Sequence, residues 1–398
     1  MSSFCDRCFR REAAIDRIEF RIAALARPMT GCSLFLTGMQ RSGTTLLEKL
    51  VARHPDTSIL SQPFPLLFVE AKRSFMRELG REDERYPLGH LFREDQYNQE
   101  DFDHHLSQLR FDHTRLAAVF DRMQTFSGQY TRFEAARLQQ VYSRPQATGF
   151  AELLERLFEE LSPAPEKPVK GSKETICEEF LPYLLDRGWR CVLILRDPRD
   201  VVASLNHGRG QEFGGQLKPT LFNVRNWRKS VAYALQLEGR PGFLCLRYED
   251  VVADPAAAMH RITESCGMVP YDYEGLHGWT GNSSHGERSG VSTESIGAYQ
   301  RVLPINVTRY IEATCLPEMR LLGYPSGIGT GEAMPVIRDF DEPYQIRRDG
   351  IAGDVADPAN AAVEAGRLER LAERTAADSK AWFLFDRAHD RLREALQP

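Results

Sequence analysis

The chain has 398 residues, enough for two or three domains of ordinary size or for one large α/β domain with insertions. Apolar residues make up 42% and charged residues 27%, which supplies a sizeable core and argues against global disorder. With 51 basic and 56 acidic side chains the formal net charge is −5, which excludes a strongly basic nucleic-acid coat but not a local basic pocket for an anion. We therefore expect no nucleic-acid partner.

The sequence indicates neither membrane insertion nor export. No apolar run approaches the roughly 20 residues of a membrane-spanning helix, and the charged N-terminus lacks the apolar stretch of a secretion signal. The eight cysteines are scattered, and the one CxxC pair, Cys5 and Cys8, has no second ligand pair of zinc-site spacing nearby. We expect a cytoplasmic protein with no membrane span and no metal site. A homo-oligomer is compatible with the sequence.

Strand and helix patterns alternate along the chain. Apolar runs predict strands at 33–37, 190–195 and 242–247. Helical periodicity follows or separates these runs at 44–53, 63–78, 149–161, 175–187, from 198 onward, and at 219–238, 255–266 and 304–315. The alternation predicts the α/β class, with a parallel sheet flanked by helices on both faces.

Four regions follow from the changes in pattern. Residues 1–28 predict a charged amphipathic N-terminal helix, and 29–325 form the main domain. Within that domain, 80–147 is a highly charged stretch that we interpret as a helical insertion. Residues 326–398 form a C-terminal extension that ends in a helix near 361–395.

The first predicted strand runs into a glycine-containing loop, GMQRSG, and then into a helix. Such a loop turns backbone N–H groups and the helix N-terminus toward one point, and the hydroxyls of Ser42, Thr44 and Thr45 add donors. The glycine spacing matches a Walker A loop, but Thr44 stands where that motif needs Lys, which disfavours hydrolysis of ATP or GTP. Arg41 supplies a cation instead. A tight turn without a ligand is the alternative interpretation.

The second predicted strand repeats the strand–turn–helix pattern. Arg196 ends the strand, where open α/β sheets bind ligands, and Pro198 suits the first turn of the next helix. Ser204 follows about two helical turns later. An Arg fork with a hydroxyl suits a terminal phosphate, whereas an Arg–Asp pair at a helix start is the structural alternative.

Together the two motifs resemble the family of sulfotransferases that depend on 3′-phosphoadenosine-5′-phosphosulfate (PAPS), especially its bacterial and tyrosylprotein-type branches. The resemblance covers about 30–325, apart from the insertion, and implies a P-loop-like sulfotransferase fold. For the 5′-phosphosulfate site it implies Arg41, Ser42, Gly43, Thr44 and Thr45. For the 3′-phosphate site it implies Arg196 and Ser204.

Three further stretches are similar to segments of this family. VKGSK at 169–173 resembles its short lysine-bearing segment, and LRYEDV at 246–251 resembles a recurrent "RYEDL" segment. WTGNSS and the residues up to Ser292 resemble its C-terminal cofactor loop. That last resemblance implies cofactor contacts from Asn282, Ser283 and Arg288.

The resemblance implies a sulfotransferase that moves a sulfuryl group from PAPS to a hydroxyl or amine of a small-molecule acceptor. This chemistry needs cations for the charge that builds on the leaving phosphate, an acceptor held in line, and a base. We assign Arg41 and Lys173 to charge stabilisation, with Lys170 as the alternative to Lys173. No metal is obligatory.

The general base is not evident. In tyrosylprotein-type relatives a Glu follows an "HPD" segment, but here the segment 54–64 carries Gln62 at that position. An amide can orient an acceptor but has no useful basicity, so we place Gln62 in the acceptor site and leave the base unassigned. Four side chains are candidates in its place, unless loss of the base is tolerated: His104, His105, Glu70 and Glu174.

The insertion 80–147 is expected to act as an acceptor lid. Its aromatic residues either line an apolar pocket or form a small helical core: Tyr86, Phe92, Tyr97, Phe102, Phe126 and Tyr130.

Two other functions compete with sulfuryl transfer. A P-loop-type kinase or GTPase is disfavoured by Thr44. A non-catalytic protein that binds 3′-phosphoadenosine-5′-phosphate (PAP) or another nucleotide is supported by Gln62, and the helix near 361–395 would be its interaction surface. Packing of that helix against its own domain is the alternative.

Overall fold

The fold is known from a computed structural model of the chain. It describes residues 31–80, 98–126, 128–133, 135–208, 217–271, 291–344, 359–372 and 385–396. The predicted N-terminal helix over 1–28 and the pair Cys5 and Cys8 lie outside these ranges.

A five-stranded sheet with the order β2-β3-β1-β4-β5 organises the chain. Its strands are β1 (Cys32–Thr37), β2 (Thr57–Ser61), β3 (Val169–Lys173), β4 (Arg190–Leu195) and β5 (Phe243–Arg247). All four neighbouring pairs are parallel. The predicted α/β class, with a parallel sheet flanked by helices, is confirmed.

The sequence predicted three of these strands and missed β2 and β3. The sequences TSILS and VKGSK are too polar to stand out as buried strands. Position in the sheet buries them instead, because β3 lies between β1 and β2. A Cβ atom on Gly171 would lie 1.8 Å from the carbonyl oxygen of Leu34, so only glycine permits this close pairing.

Helices cover both faces of the sheet and form the insertion. In the first half of the chain they are α1 (Thr44–Val51), α2 (Pro65–Glu78), α3 (Gln99–Gln108), α4 (His113–Gln124), α5 (Ala135–Ser143) and α6 (Phe150–Leu161). The middle contributes α7 (Leu181–Asp186), α8 (Pro198–His207), α9 (Thr220–Leu237), α10 (Tyr248–Ala253) and α11 (Pro255–Cys266). The remainder are α12 (Tyr299–Val302), α13 (Ile305–Thr314), α14 (Leu316–Leu321), α15 (Thr330–Arg338), α16 (Ala359–Ala372) and α17 (Asp386–Leu396). Within the described ranges, no helix is long and apolar enough to cross a membrane.

Two predicted helices differ from the structure. The single helix expected over 175–187 is a 3-10 turn at Glu178–Phe180 followed by α7, whose first turn holds Pro182. Proline has no backbone N–H and suits a first turn, so the chain restarts a helix there. The long C-terminal helix expected near 361–395 is represented by α16 and α17.

Alternating side chains of the strands feed two cores, one on each face of the sheet. In β1, Phe35 packs into the larger core while Leu34 and Leu36 pack into the smaller one. The larger core includes the insertion, where Phe102 lies 5.3 Å from the ring of Phe180. Parallel strands buried on both faces are typical of this class.

The described parts of the C-terminal extension pack against the main domain. The carboxylate of Glu364 on α16 lies 2.8 Å from Arg225 Nε and 2.6 Å from Arg228 Nη1, both on α9. Leu371 and Leu392 are buried in the larger core. These faces of α16 and α17 are therefore occupied by the chain itself.

Candidate functional site

The loop between β1 and α1 has a backbone that requires glycine. Gly43, which precedes α1, has a φ of 97° in the left-handed region, and a Cβ atom there would lie 2.3 Å from the ring of Tyr248. A Cβ atom on Gly38 would lie 2.5 Å from the carbonyl oxygen of Ile194. The turn that the sequence predicted at 38–43 is thus pressed against β4 and α10.

Two hydrogen bonds join this loop to the second motif. Arg41 Nε donates to Ser204 Oγ at 3.1 Å, and Arg196 Nη1 donates to the backbone oxygen of Arg41 at 3.1 Å. Arg196 and Ser204 lie on different elements, at the end of β4 and within α8. The structure therefore brings both predicted anion sites to one edge of the sheet.

Arg196 is buried and held by several groups. Its Nη2 donates to the backbone oxygen of Ser295 at 2.7 Å, and its guanidinium lies 4.4 Å from the centre of the Tyr248 ring. Asp200 is 4.0 Å away and also accepts backbone N–H bonds from Gly297 and Tyr299. These contacts fix the direction of the guanidinium.

A second set of contacts positions the turn that follows β4. Glu249 accepts a hydrogen bond from the backbone of Asp197 at 2.9 Å and another from the Tyr324 hydroxyl at 3.0 Å. Trp227 Nε1 donates to the carbonyl oxygen of Arg196 at 2.7 Å. Burial raises the pKa of Glu249, although the backbone hydrogen bond from Asp197 opposes this. The sequence singled out the stretch 246–251 but predicted none of these hydrogen bonds.

Lys173 and Gln62 form a second cluster at the carboxyl ends of β3 and β2. Lys173 Nζ donates to Gln62 Oε1 at 3.2 Å, and Gln62 Nε2 donates to the carbonyl oxygen of Gly128 at 2.7 Å. Thr175 Oγ1 is 3.4 Å from the same Gln62 oxygen. Lys170 lies near the start of β3, so of the two predicted lysines only Lys173 stands at the carboxyl edge.

Burial controls the ionisation of this cluster. Lys173 is 1% exposed, and desolvation lowers its pKa against the opposing charges of Glu174 and Glu48. Desolvation also raises the pKa of Glu174 to about 8, although its carboxylate accepts a hydrogen bond from the backbone of Phe64. The buried cluster therefore carries less charge than its composition suggests.

The insertion reaches this cluster. The backbone N–H of Tyr130 donates to the backbone carbonyl oxygen of Gln62 at 3.3 Å, and that of Thr131 donates to the backbone carbonyl oxygen of Ser61 at 2.8 Å. The Tyr130 ring is half-exposed, and its centre lies 4.9 Å from Lys173 Nζ. Of the aromatic residues predicted for an acceptor pocket, Phe102 belongs to the core, whereas Phe126 and Tyr130 are exposed.

Unpartnered polar atoms mark the anion edge. Ser42 Oγ and Arg196 Nε are buried and, among the described residues, have no hydrogen-bond partner. Buried donors without partners are rare, and phosphate oxygens are the acceptors that suit a hydroxyl and a guanidinium together. Thr44 is buried at the N-terminus of α1 and Thr45 is half-buried beside it. These residues fit the phosphates of a donor such as PAPS.

The candidate replacements for the missing base lie in other contacts, apart from Glu174. His105 Nε2 is 2.7 Å from Ser74 Oγ, and its Nδ1 is 2.9 Å from Glu78. Glu70 pairs with Arg77 and Arg115, each at 2.9 Å. His104 is exposed on α3.

Some predicted features lie beyond what the structure describes. Asn282, Ser283 and Arg288 are outside the described residues, as are Tyr86, Phe92 and Tyr97. Within the described ranges, no group of three or more His, Cys, Asp or Glu side chains is arranged to hold a metal ion.

Comparisons with known proteins match the part of the chain that contains the loop after β1. Residues 33–163 match the model of the sulfotransferase family. Over 55 residues the chain is 44% identical to nodulation protein NoeE of Sinorhizobium fredii, a match that spans 14% of this chain and 12% of that protein.

Two solved structures are similar to this chain in the path of the backbone. The sulfotransferase domain from the curacin biosynthetic pathway is 18% identical, covers 72% of this chain and 98% of that domain, and has a TM-score of 0.40. Mouse sulfotransferase SULT7A1 complexed with PAP is 12% identical, covers 61% of each chain and has a TM-score of 0.31. Likenesses this distant carry no argument about what this chain binds. The family match covers β1, the loop with Arg41 and the Gln62 turn. The resemblance seen in the sequence is confirmed over residues 33–163, which are similar to the sulfotransferase family.

Proposed function

We propose that this chain transfers a sulfuryl group from PAPS to a hydroxyl or amine of a small-molecule acceptor. The observation that carries the proposal is the junction of Arg41, Ser204 and Arg196 at one edge of the sheet. A donor with phosphates at both its 5′ and 3′ positions needs two anion sites close together, and the match of residues 33–163 to the sulfotransferase family supports this use of them.

The chain's own groups divide the work of holding such a donor. Ser42, Thr44 and Thr45, with the N-terminus of α1, are the groups for the 5′ side, while Arg196 and Ser204 serve the 3′ side. When bound, PAPS supplies a sulfuryl group on a phosphate leaving group. Three further residues from the family resemblance are assigned to the same donor: Asn282, Ser283 and Arg288.

Arg41 is the standing cation for charge that builds on the leaving oxygen, and Lys173 adds positive charge there in its protonated form. Arg41 is fixed by Ser204, so its guanidinium is preorganised at the loop. Lys173 stands at the end of β3, next to β1 in the sheet. Preorganised cations of this kind stabilise a developing anion without first having to reorient.

The acceptor side is assigned to Gln62 and the insertion. Gln62 is fixed at both ends of its amide, by Gly128 and by Lys173. Tyr130 of the insertion stands beside it with an exposed ring. This supports the insertion 80–147 as the part that selects the acceptor. The domain boundaries 29–325 and 326–398 and a cytoplasmic location are part of the same proposal.

One alternative draws on a specific observation. Gln62 has no basicity, which favours a protein that binds PAP without catalysing transfer. A P-loop-type kinase lacks such support, because Thr44 stands in place of the lysine that contacts the β- and γ-phosphates. Binding of PAP without release of PAP from PAPS would identify the non-catalytic protein.

The test is calorimetric titration of the full chain with PAP, with ATP and Mg²⁺ as the parallel ligand. Micromolar binding of PAP with negligible binding of ATP is expected. Arg41→Ala and Arg196→Ala should each weaken PAP binding tenfold or more, since a hydrogen bond to a charged group contributes ~1.5–3 kcal/mol. Arg53→Ala, an exposed arginine after α1, is the matched control. Tight ATP binding, or unchanged PAP affinity in both site variants, would refute the proposal.

A further inference from the structure

The function of Lys173 goes beyond charge stabilisation. We propose that Lys173 Nζ, facing the fixed amide of Gln62, is the general base that takes the proton of the acceptor hydroxyl. The assignment rests on the proposed sulfuryl transfer. It supplies the base that the residue at position 62 cannot provide.

The side chain that faces Lys173 is the amide of Gln62, which carries no charge. Gln62 Nε2 donates to the Gly128 oxygen at 2.7 Å, so its Oε1 must point toward Lys173 Nζ, which is 3.2 Å away. Thr175 Oγ1 approaches the same oxygen. Among the described residues, no carboxylate lies within ion-pair distance of Lys173 Nζ.

A second buried lysine shows what this difference means. Lys229 on α9 is equally enclosed, but its Nζ lies 2.6 Å from Glu179 and 3.2 Å from Glu178. Burial would lower the pKa of Lys229, and these two carboxylates reverse the effect and raise it. Lys173 lacks such pairing, and its pKa is lowered. The same fold therefore holds one lysine as a fixed cation and makes the other easier to deprotonate.

The other groups around Lys173 do not restore a full counter-ion. Glu48 on α1 and Glu174 at the end of β3 both favour the charged amine, but burial outweighs them. Burial raises the pKa of each of these carboxyls, that of Glu174 to about 8, so Glu174 is largely neutral at neutral pH. The face of Tyr130 also favours an ammonium, from 4.9 Å.

The step balances without another reactant. The acceptor oxygen forms its bond to sulfur while the bond from sulfur to the phosphate oxygen breaks, and that oxygen keeps the electron pair. The acceptor's proton passes to the free amine of Lys173 and makes an ammonium. The new positive charge arises at the edge of the sheet where the leaving phosphate gains its negative charge, so one side chain acts as base and then as counter-ion.

The residue at position 62 determines whether Lys173 can act as a base. A carboxylate there would pair with the Lys173 ammonium and keep that amine protonated at neutral pH. Gln62→Glu therefore distinguishes two models with opposite outcomes. If the chain has simply lost its base, the substitution restores one and activity rises. If Lys173 is the base, the substitution protonates it and activity falls.

The first measurement follows the proton itself. In protein labelled with [6-¹³C]lysine, the ¹³Cε shift of Lys173, assigned with Lys173→Arg, is followed from pH 6 to 11. Lys173 is expected to titrate below every exposed lysine, and Lys229 above them. Gln62→Glu should raise the Lys173 midpoint by at least one pH unit. Titration of Lys173 among the exposed lysines, or no change in the variant, overturns the proposal.

The second measurement is the pH profile of PAP release from PAPS, with 2-naphthol as the probe acceptor and water alone as the blank. At pH 7, Gln62→Glu should lower the rate about tenfold for each pH unit by which the midpoint rises, with recovery at higher pH. Asn306→Asp adds the same charge on the exposed first turn of α13 and should leave the profile unchanged. Lys173→Arg should keep PAP binding and abolish release.

The outcomes separate the two proposals. A rise in rate for Gln62→Glu overturns the role of Lys173 and leaves the sulfotransferase proposal standing. Failure of the parent protein to bind PAP overturns the proposed function at its donor site. Binding of PAP without any release overturns the transfer step and the base together.

Discussion

Arg41 Nε donates a hydrogen bond to Ser204 Oγ across 163 residues of chain, at a distance of 3.1 Å. The contact joins the loop that follows β1 to the helix α8 that follows the neighbouring strand β4. Neither residue needs the other for the local fold of its own segment, so the bond is a property of the assembled sheet.

Ser204→Ala should therefore weaken PAP binding without unfolding the protein. Loss of the hydroxyl removes one anchor of Arg41 and a donor from the 3′ side. A change of ~1.5–3 kcal/mol corresponds to roughly a ten- to hundredfold loss of affinity. Calorimetric titration with PAP measures it. The control is Ser107→Ala, because the Ser107 hydroxyl donates to the His104 carbonyl oxygen within its own helix, α3. Equal affinities in the two variants would show that Ser204 does not serve the donor.

Gly43→Ala should disrupt the loop itself. The added methyl carbon would lie 2.3 Å from the Tyr248 ring, and the backbone there has a φ of 97°. Overpacking and strain together cost ~1–3 kcal/mol or more, so we expect a lower melting temperature and loss of PAP binding. Gly80→Ala is a matched comparison, because its φ is also positive, at 70°, but no atom lies within 4 Å. Thermal unfolding and titration of both variants check this, and similar losses in the two would contradict the role given to Tyr248.

Glu249→Ala should loosen the turn that carries Arg196. Its carboxylate holds the backbone of Asp197 and the hydroxyl of Tyr324, and its removal leaves both donors without that acceptor. We expect a loss of ~1–3 kcal/mol in stability and a weaker PAP affinity. The neighbouring exposed Asp250 provides the control variant Asp250→Ala. Denaturant unfolding and calorimetry measure the two effects, and unchanged PAP affinity would limit Glu249 to a structural role.

Acid should release the C-terminal extension. Burial alone would raise the pKa of Glu364, but Arg228 and Arg225 lower it to about 2. Because this folded-state pKa lies below the unfolded value of roughly 4.3, the carboxylate stabilises the fold fully above that value. The contribution is then lost as the pH falls toward 2.

The melting temperature should therefore drop as the pH falls from about 4.3 toward 2, and Glu364→Gln should flatten that dependence. At pH 7 the same variant should lose ~3–5 kcal/mol, since it leaves buried arginines uncompensated. Calorimetric melting at several pH values checks both statements. A variant with the parent's acid profile would show that another group controls it.

The sequence was sufficient for features that are local. The apolar run of β1, the glycines of its loop and the periodicity of α1 lie within one short stretch, so the anion loop with Arg41 and Ser42 was predictable. The same holds for β4 with Arg196 and for the α/β class, because strand and helix periods are properties of neighbouring residues.

Features that depend on the sheet were not predictable. The strands β2 and β3 are polar and are buried only because other strands flank them, with Gly171 allowing the approach. The positions of Glu249 and Trp227 behind Arg196, and of Tyr130 beside Lys173, depend on contacts between distant segments.

The ionisation of Lys173 belongs to the same group of features. The sequence by itself determined which residue types are present, and its family resemblance implies that Gln62 stands where relatives carry Glu. Only the tertiary structure decided that this amide faces Lys173, whereas Lys229 meets two carboxylates. The physical reason is that desolvation and Coulomb interactions depend on distances in space, and separation along the chain does not fix those distances.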